Sequence, residues 1–281
     1  MADTMIRMKD DSLCSFMTKE DIRAKAPYVF ASQPTNPGVS NKYAFASTET
    51  VIDDLDKMGW KVVDCRQQRA NKKSGIRSFH MVVFQNPNVF IANEGKVECF
   101  PRIILTNSHD GFNSFKFMVG LFRLVCSNGL VIATQKFADI SIRHIGYTKE
   151  ELTKVVAKSM QVVEANIDIM NSMSHTVLTE AQKDELATAA LRIRDKGDEN
   201  YTAPAEVIDD ILTPTRTEDE GDTLWHVFNV LQEKIIRGNY NMVSIKNPKK
   251  KRKARAITGV ARDLEINQSF FKVASEYAQA A

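Results

Sequence analysis

The stretch PRIILTNSHDGFNSFKFMVGLFRLVCSNGLVI, Pro101 to Ile132, decides how the first half of this 281-residue chain is read. Ile103, Ile104 and Leu105 form an aliphatic run that stops at a polar cluster ending in Asp110-Gly111. Beyond it, Phe115, Phe117, Val119 and Leu121 recur at every second residue, the period of a strand with one buried face. The two runs predict a hairpin. Asp110-Gly111 supplies the tolerance of positive φ that a reversal needs, although the connector from Thr106 to Asn113 is longer than a two-residue turn.

Working outward, a second hairpin is predicted upstream. Trp60 to Arg69 and Arg77 to Gln85 flank a basic polar turn at Asn71 to Gly75, with Phe79, Met81 and Val83 alternating against Ser78, His80 and Val82. Val89 to Ala92 and Lys96 to Leu105 add strands, and Lys136 to His144 extends the β-rich part. Nearer the start, Thr18 with Asp21 has capping-box spacing for a short helix that closes before Pro27. The tract Ser32 to Asn41, with two prolines and a glycine, reads as a loop. Thr48 is then read as the cap of a helix running to about Met58, with Val51, Ile52, Leu55 and Met58 on one face and Gly59 ending it.

Past Tyr147 the apolar period changes from two to 3.6 residues. Thr148, followed by Glu150 and Glu151, opens a helix of roughly 25 residues through Leu152, Val155, Met160, Val163, Ile167 and Met170. Thr179 with Gln182 starts another that extends to about Arg194. Ala205 to Leu212 lies between two prolines, Leu224 to Arg237 is amphipathic, and Asn267 to Ala280 reads as a packed terminal helix. This order predicts an α+β protein, with a β-hairpin-rich, mainly antiparallel sheet in the first half and long amphipathic helices in the second; it argues against a doubly wound sheet. The expected organisation is an extension 1–41, a β-rich core 42–146 and a helical part 147–281, or a single domain from 42 to 281.

A composition of 43% hydrophobic and 26% charged residues is that of an ordinary globular chain. No apolar run approaches the roughly 18–20 residues needed to span a bilayer, and MADTMIRMKDD has no signal-peptide core, so an intracellular protein without membrane contact is expected. Cys14, Cys65, Cys99 and Cys126 are far apart and form no CxxC pair; buried free thiols are the expected state.

The net charge of +3 conceals two opposed blocks. Asp195, Asp198, Glu199, Glu206, Asp209, Asp210, Glu218, Asp219, Glu220 and Asp222 crowd the segment 195–222. Lys246, Lys249, Lys250, Lys251, Arg252, Lys253 and Arg255 fill 246–255 with no acid among them. A like-charge block of this kind repels itself and is exposed, mobile or held against a polyanion. Each cation meeting a phosphate releases counterions, so Lys249, Lys250, Lys251, Arg252, Lys253 and Arg255 are the first candidates for nucleic-acid contacts. Lys72, Lys73 and Arg77, at the tip of the upstream hairpin beside Arg66 and Arg69, form a second set. The plainer alternative is a solvated loop that binds nothing. A nuclear-import signal is a third reading of KNPKKKRKAR.

Catalytic signatures are missing: the chain has no GxxxxGK[ST], GxGxxG, GxSxG or HExxH. His80, His109, His144, His175 and His226 are scattered singly, so neither a metal nor a cofactor is expected. His109-Asp110 and Cys126 are the nearest approach to a Cys–His nucleophile, without a second orienting signature.

HDGFNSFKFMVGLFRLVCSNGLVI resembles the signature of the phage/plasmid-like family known as domain of unknown function 932, whose members carry a DGS-type turn followed by an LxRxVCxNG corner. KYAFASTETVIDDLDKMGW and RDLEINQSFFKVASEYA are similar to flanking parts of that family, so the likeness extends over most of residues 40–280. Phe112-Asn113 departs from the small polar residues usual after the turn. The resemblance implies a mobile-element context, most often bacteriophage, and hence the cytoplasm of an infected bacterium. There a nuclear signal has no meaning, which returns the basic run to nucleic acid. More weakly, hairpins followed by long helices are similar in layout to phage single-strand annealing proteins. That likeness implies single-stranded DNA as partner, a homo-oligomer, and no covalent chemistry. An accessory protein acting through protein contacts, with the acidic segment docking on the basic run, is the competing expectation; an enzyme with an unrecognised site is the third.

Overall fold

A computed structural model describes residues 5–7, 15–39, 43, 45–68, 78–93, 96–113, 115–123, 129–132, 141–142, 148–197, 200–244 and 247–280. Two compact units emerge, Met1–Glu164 and Ala165–Ala281. The architecture is α+β, as the order of periodicities predicts, with an antiparallel sheet in the first unit and helices dominating the second.

The sheet is organised by β5 (Lys96–Asn107) and β6 (Phe115–Arg123), the hairpin read from the focal stretch. Leu105 faces Phe117 and Ile103 faces Val119, so the alternating apolar residues of both strands share a face. On its other edge β5 pairs in succession with β4 (Phe90–Asn93) and β3 (His80–Gln85). The free edge of β6 takes β7 (Gly129–Ile132) and β8 (Ser141–Ile142). β2 (Lys61–Gln67) closes the second predicted hairpin against β3, and β1 (Met5–Arg7) lies outside β4.

One face of this sheet is covered by α1 (Lys19–Lys25), a 3-10 turn at Pro27–Phe30, α2 (Thr48–Lys57) and the start of α3 (Lys149–His175). Ile22, Val29, Val51 and Leu55 meet Val82, Phe84, Ile103, Leu105, Phe115 and Phe117 there, with Leu152 and Val155 joining the same cluster. Fully burying each such side chain contributes about 1.5–3 kcal/mol, which fixes the sheet register more firmly than the turns do. β3 corrects the one-sided alternation expected for it: His80, Met81, Val82, Val83, Phe84 and Gln85 are all buried, as befits a strand hydrogen-bonded on both edges.

The second unit is built on α4 (Glu180–Asp195), α6 (Leu224–Arg237) and α7 (Val260–Ala280), with α5 (Ala205–Leu212) against α4 and α6. Phe228 stacks on Phe270 with ring centroids 4.9 Å apart, and Phe271 meets it edge-on. α7 begins at Val260, earlier than the expected Asn267, because Val260 and Ile266 are buried and extend the apolar stripe back across Arg262-Asp263-Leu264-Glu265. Among the described residues no helix is long and apolar enough to cross a membrane.

Candidate functional site

The basic run is a strand and not a loop. After α6 the chain reverses through Gly238 (φ 72°) and Asn239 (φ 66°), whose positive φ values carry the backbone out of the helix. Asn239 N–H then donates to Ala254 O at 2.9 Å, and Ala254 N–H donates to Tyr240 O at 2.8 Å. These bonds open an antiparallel ribbon of β9 (Asn241–Ser244) and β10 (Asn247–Lys253), with Lys253 opposite Asn241 and Arg252 opposite Met242. Between Asn247 and Lys251 the register of the ladder shifts, across Pro248, Lys249 and Lys250. Proline cannot donate to a ladder, so an irregularity falls naturally there.

The ribbon's base is pinned to the helices. The buried Arg194 guanidinium donates to Ile235 O and to Arg255 O, with Cζ 5.5 Å from the ring centroid of the fully buried Tyr240. Ile257 N–H donates to Ile236 O at 2.8 Å. Four polypeptide segments therefore hold one another at this point, while Arg252, Lys253 and Arg255 remain exposed. Lys253 Nζ reaches Asn239 Oδ1 at 3.3 Å. Of the predicted contacts, Lys249, Lys250, Lys251, Arg252 and Lys253 thus share one strand and Arg255 follows it. Lys72, Lys73 and Arg77 lie outside the described residues, as does Lys246.

The acidic segment meets the ribbon through Asp210. Asp210 Oδ2 accepts from both the backbone N–H and Nδ2 of Asn241, each at 2.7 Å. The described ion pairs of that segment run to Lys183 (Asp222, 2.7 Å), Arg216 (Asp219, 3.2 Å) and Lys234 (Asp210, 3.9 Å).

The signature turn of the first unit holds a separate, buried polar network. Asp110 Oδ1 accepts from Ser108 Oγ–H at 2.7 Å and Phe112 N–H at 3.0 Å, and Oδ2 accepts from Ser78 N–H at 3.0 Å. Burial opposes the charge, yet these donors outweigh it and hold the carboxyl below the usual range. Ser78 Oγ accepts from His109 N–H at 2.7 Å, and Ser78 O accepts from His80 Nδ1–H at 2.7 Å. A carbonyl can only accept, so His80 carries its proton on Nδ1 and its bare Nε2 takes the Thr48 hydroxyl proton at 2.8 Å. Thr48 Oγ1 in turn accepts from Asn107 Nδ2 at 3.0 Å, and His109 Nε2 is 3.5 Å away.

This network corrects the reading of Thr48 as a cap. Ser47 caps α2 through Thr50 N–H, which frees Thr48 to point inward as the first helical residue. Thr48, Ser78 and His80 were not foreseen as partners of His109-Asp110. For His80 the signal was a polar residue inside an apolar strand, whose burial spacing alone does not reveal. Cys126 and His144 lie outside the described residues. Cys65 and Cys99 are buried, and burial pushes the Cys65 thiol up to about 11, away from nucleophilic chemistry.

His80 makes the fold pH-sensitive. Burial pushes its imidazole down to about 4, so the native state stays neutral where the unfolded chain, titrating near 6.5, takes up a proton. The associated stability is fully present above pH 6.5 and is lost as pH falls from there toward 4, on the order of 3 kcal/mol in all. Urea unfolding at about pH 7.5 and pH 4.5 is expected to show most of that loss, and His80→Gln to flatten it; an equal pH slope in both proteins would remove His80 as the cause.

Residues 38–269 match the family model described as Domain of unknown function (DUF932). The chain belongs to this family. It is similar to two Escherichia coli proteins, the UPF0380 protein YafZ, 28% identical over 261 residues, and the UPF0380 protein YfjQ, 26% identical over 260 residues. Each alignment covers 92% of this chain and 90% of the relative. No solved structure matches the chain.

Proposed function

We propose that this protein binds nucleic acid by its phosphate backbone, without covalent chemistry, in the cytoplasm of a bacterium carrying the mobile element that encodes it. The observation that carries the reading is the concentration of cations on β10: five basic residues in one strand, with Arg255 just after it and no acid between Lys246 and Arg255. Arg252, Lys253 and Arg255 are exposed. A block of charge anchored at its base, with these cations facing solvent, gives a polyanion a prepared set of contacts. Annealing of single-stranded DNA, and assembly into a homo-oligomer, are the specific forms of this activity that the likeness in layout favours.

The test is a salt titration of binding to single- and double-stranded DNA by fluorescence anisotropy. Lys249→Glu, Lys250→Glu and Lys251→Glu together are expected to weaken binding by at least ~30-fold and to reduce the slope against log salt by about 2–3. Undetectable binding at low salt, or no effect of the triple reversal, sinks the proposal.

One observation favours the competing role through protein contacts. Phe112, inside the family signature, is 73% exposed on a turn whose backbone is held by Asp110 and Ser108. A rigidly presented aromatic side chain is the kind of residue that anchors a protein interface.

A further inference from the structure

Resting on the nucleic-acid reading, we propose that Phe112 is a stacking platform for an unpaired base of single-stranded nucleic acid, a contact separate from the cations of β10. Among the described residues it is the only exposed Phe, Tyr or Trp side chain. A ring left in water returns little of the free energy that burial would contribute, so the fold does not account for its presence.

The turn holds the ring's backbone from both sides. Phe112 N–H donates to Asp110 Oδ1 at 3.0 Å and Asn113 N–H to Ser108 Oγ at 3.1 Å. From the preceding loop, Thr35 N–H donates to His109 O at 2.7 Å and Asn36 Nδ2–H to Asp110 O at 3.1 Å. Tyr43 Oη–H donates to Ser108 O at 3.2 Å. The reversal is braced before any ligand arrives, which lowers the ordering cost of binding.

The surroundings favour a nucleic acid over a protein. Residues 27–48 and 111–123 contain no Asp or Glu, in a chain with 35. Asp110, between them, is buried and turned onto three donors. Lys116, on the strand leaving the turn, is exposed. A phosphate backbone therefore meets a cation here and no exposed acid. Nor does the ring sit in an apolar patch, since Pro37, Gly38, Gly111 and Asn113 beside it are exposed, whereas a protein hot spot is ringed by contacts that exclude water. Proteins that hold single strands combine cations with aromatic rings on which bases stack. Duplex bases already stack on one another, so only an unpaired base offers this ring a free face.

The experiment measures binding of the full-length protein to a 20-nucleotide oligothymidylate and to a 20-base-pair duplex, by anisotropy at low salt. Phe112→Ala is expected to weaken single-strand binding ~10-fold and to leave duplex binding within about twofold. Its thermal melt and its slope against log salt stay unchanged, because an exposed ring supports no core and stacking releases no counterion. Phe112→Trp is expected to restore the affinity. An abasic strand of the same length is expected to bind the unaltered protein ~10-fold more weakly than oligothymidylate, with no further loss in Phe112→Ala. Unchanged single-strand binding in Phe112→Ala, with binding still lost in the Lys249→Glu, Lys250→Glu, Lys251→Glu protein, overturns this inference and leaves the nucleic-acid reading standing. An equal loss on duplex overturns stacking. A fall in oligomeric mass by sedimentation, at unchanged DNA affinity, assigns Phe112 to a protein interface and overturns it as well. Absence of binding to either DNA form overturns both readings.

Discussion

Asp110→Ala is expected to destabilise the first unit by about 3–5 kcal/mol, because it takes the carboxylate acceptor from the buried Ser78 N–H, from the part-buried Phe112 N–H and from Ser108 Oγ–H, which keeps only a longer contact to Asn113 O. Ser108 Oγ–H, Phe112 N–H and Ser78 N–H all end on this carboxylate, which is 2% exposed. Their loss spreads. Ser78 also accepts from His109 N–H and, through its carbonyl, from His80 Nδ1, so the connector between β5 and β6 and the entry to β3 loosen together. Asp110→Asn keeps the shape but sets an amide donor against one of the same donors, so it recovers only part of the loss. The unfolding midpoint, followed by fluorescence of Trp60 in the sheet core, measures this. A shift equivalent to less than about 1 kcal/mol for Asp110→Ala would mean that water satisfies the donors and that the network is not a keystone.

Gly238→Ala is the corresponding lesion in the second unit, and it removes the ribbon without touching its charge. At φ 72° and ψ −136° an L side chain is strained by about 1–3 kcal/mol. A Cβ there would also collide with Ala254 O and stand 2.8 Å from the carbonyl carbons of Ala254 and Arg255, all main-chain atoms that cannot swing aside. Those residues receive Asn239 N–H and the Arg194 guanidinium, so relief of the clash breaks the pinning at the ribbon's base. A total loss of about 3 kcal/mol or more is expected, together with weakened DNA binding at unchanged net charge. Gly259→Ala is the control, since its Cβ would meet nothing nearer than 4.0 Å. Equal midpoints for the two alanine variants would show that the ribbon's base tolerates displacement.

Much of the fold was legible because it is written in local chemistry. The capping boxes Thr18/Asp21 and Thr179/Gln182 form as their spacing predicts, since the bonds involved span three residues and need no tertiary partner. Both hairpins follow from alternation and polar turns. Boundaries were missed where a distant surface decided them. Nothing within a few residues of Thr48 distinguishes it from Ser47 as a cap; His80 and Asn107, 32 and 59 positions away, claim its hydroxyl. The basic run gave no strand signal either, since lysine has low strand propensity and Pro248 interrupts it. It becomes a strand because Asn239, Tyr240 and Arg194 hold its C-terminal end at the helical unit, where it pairs with Asn241–Ser244.

By itself the sequence determined the α+β class, the two hairpins, the capped starts of α1 and α4, the charge segregation and the family, all of which rest on residue periodicity, short-range hydrogen bonds or motif identity. Tertiary structure alone decided that five of the cations lie on one strand of a ribbon anchored at its base. It alone decided that the signature's histidine and aspartate are buried among Thr48, Ser78 and His80. In both cases the deciding bonds join residues far apart in the chain, and a free energy that depends on which distant groups meet is not encoded in any local pattern.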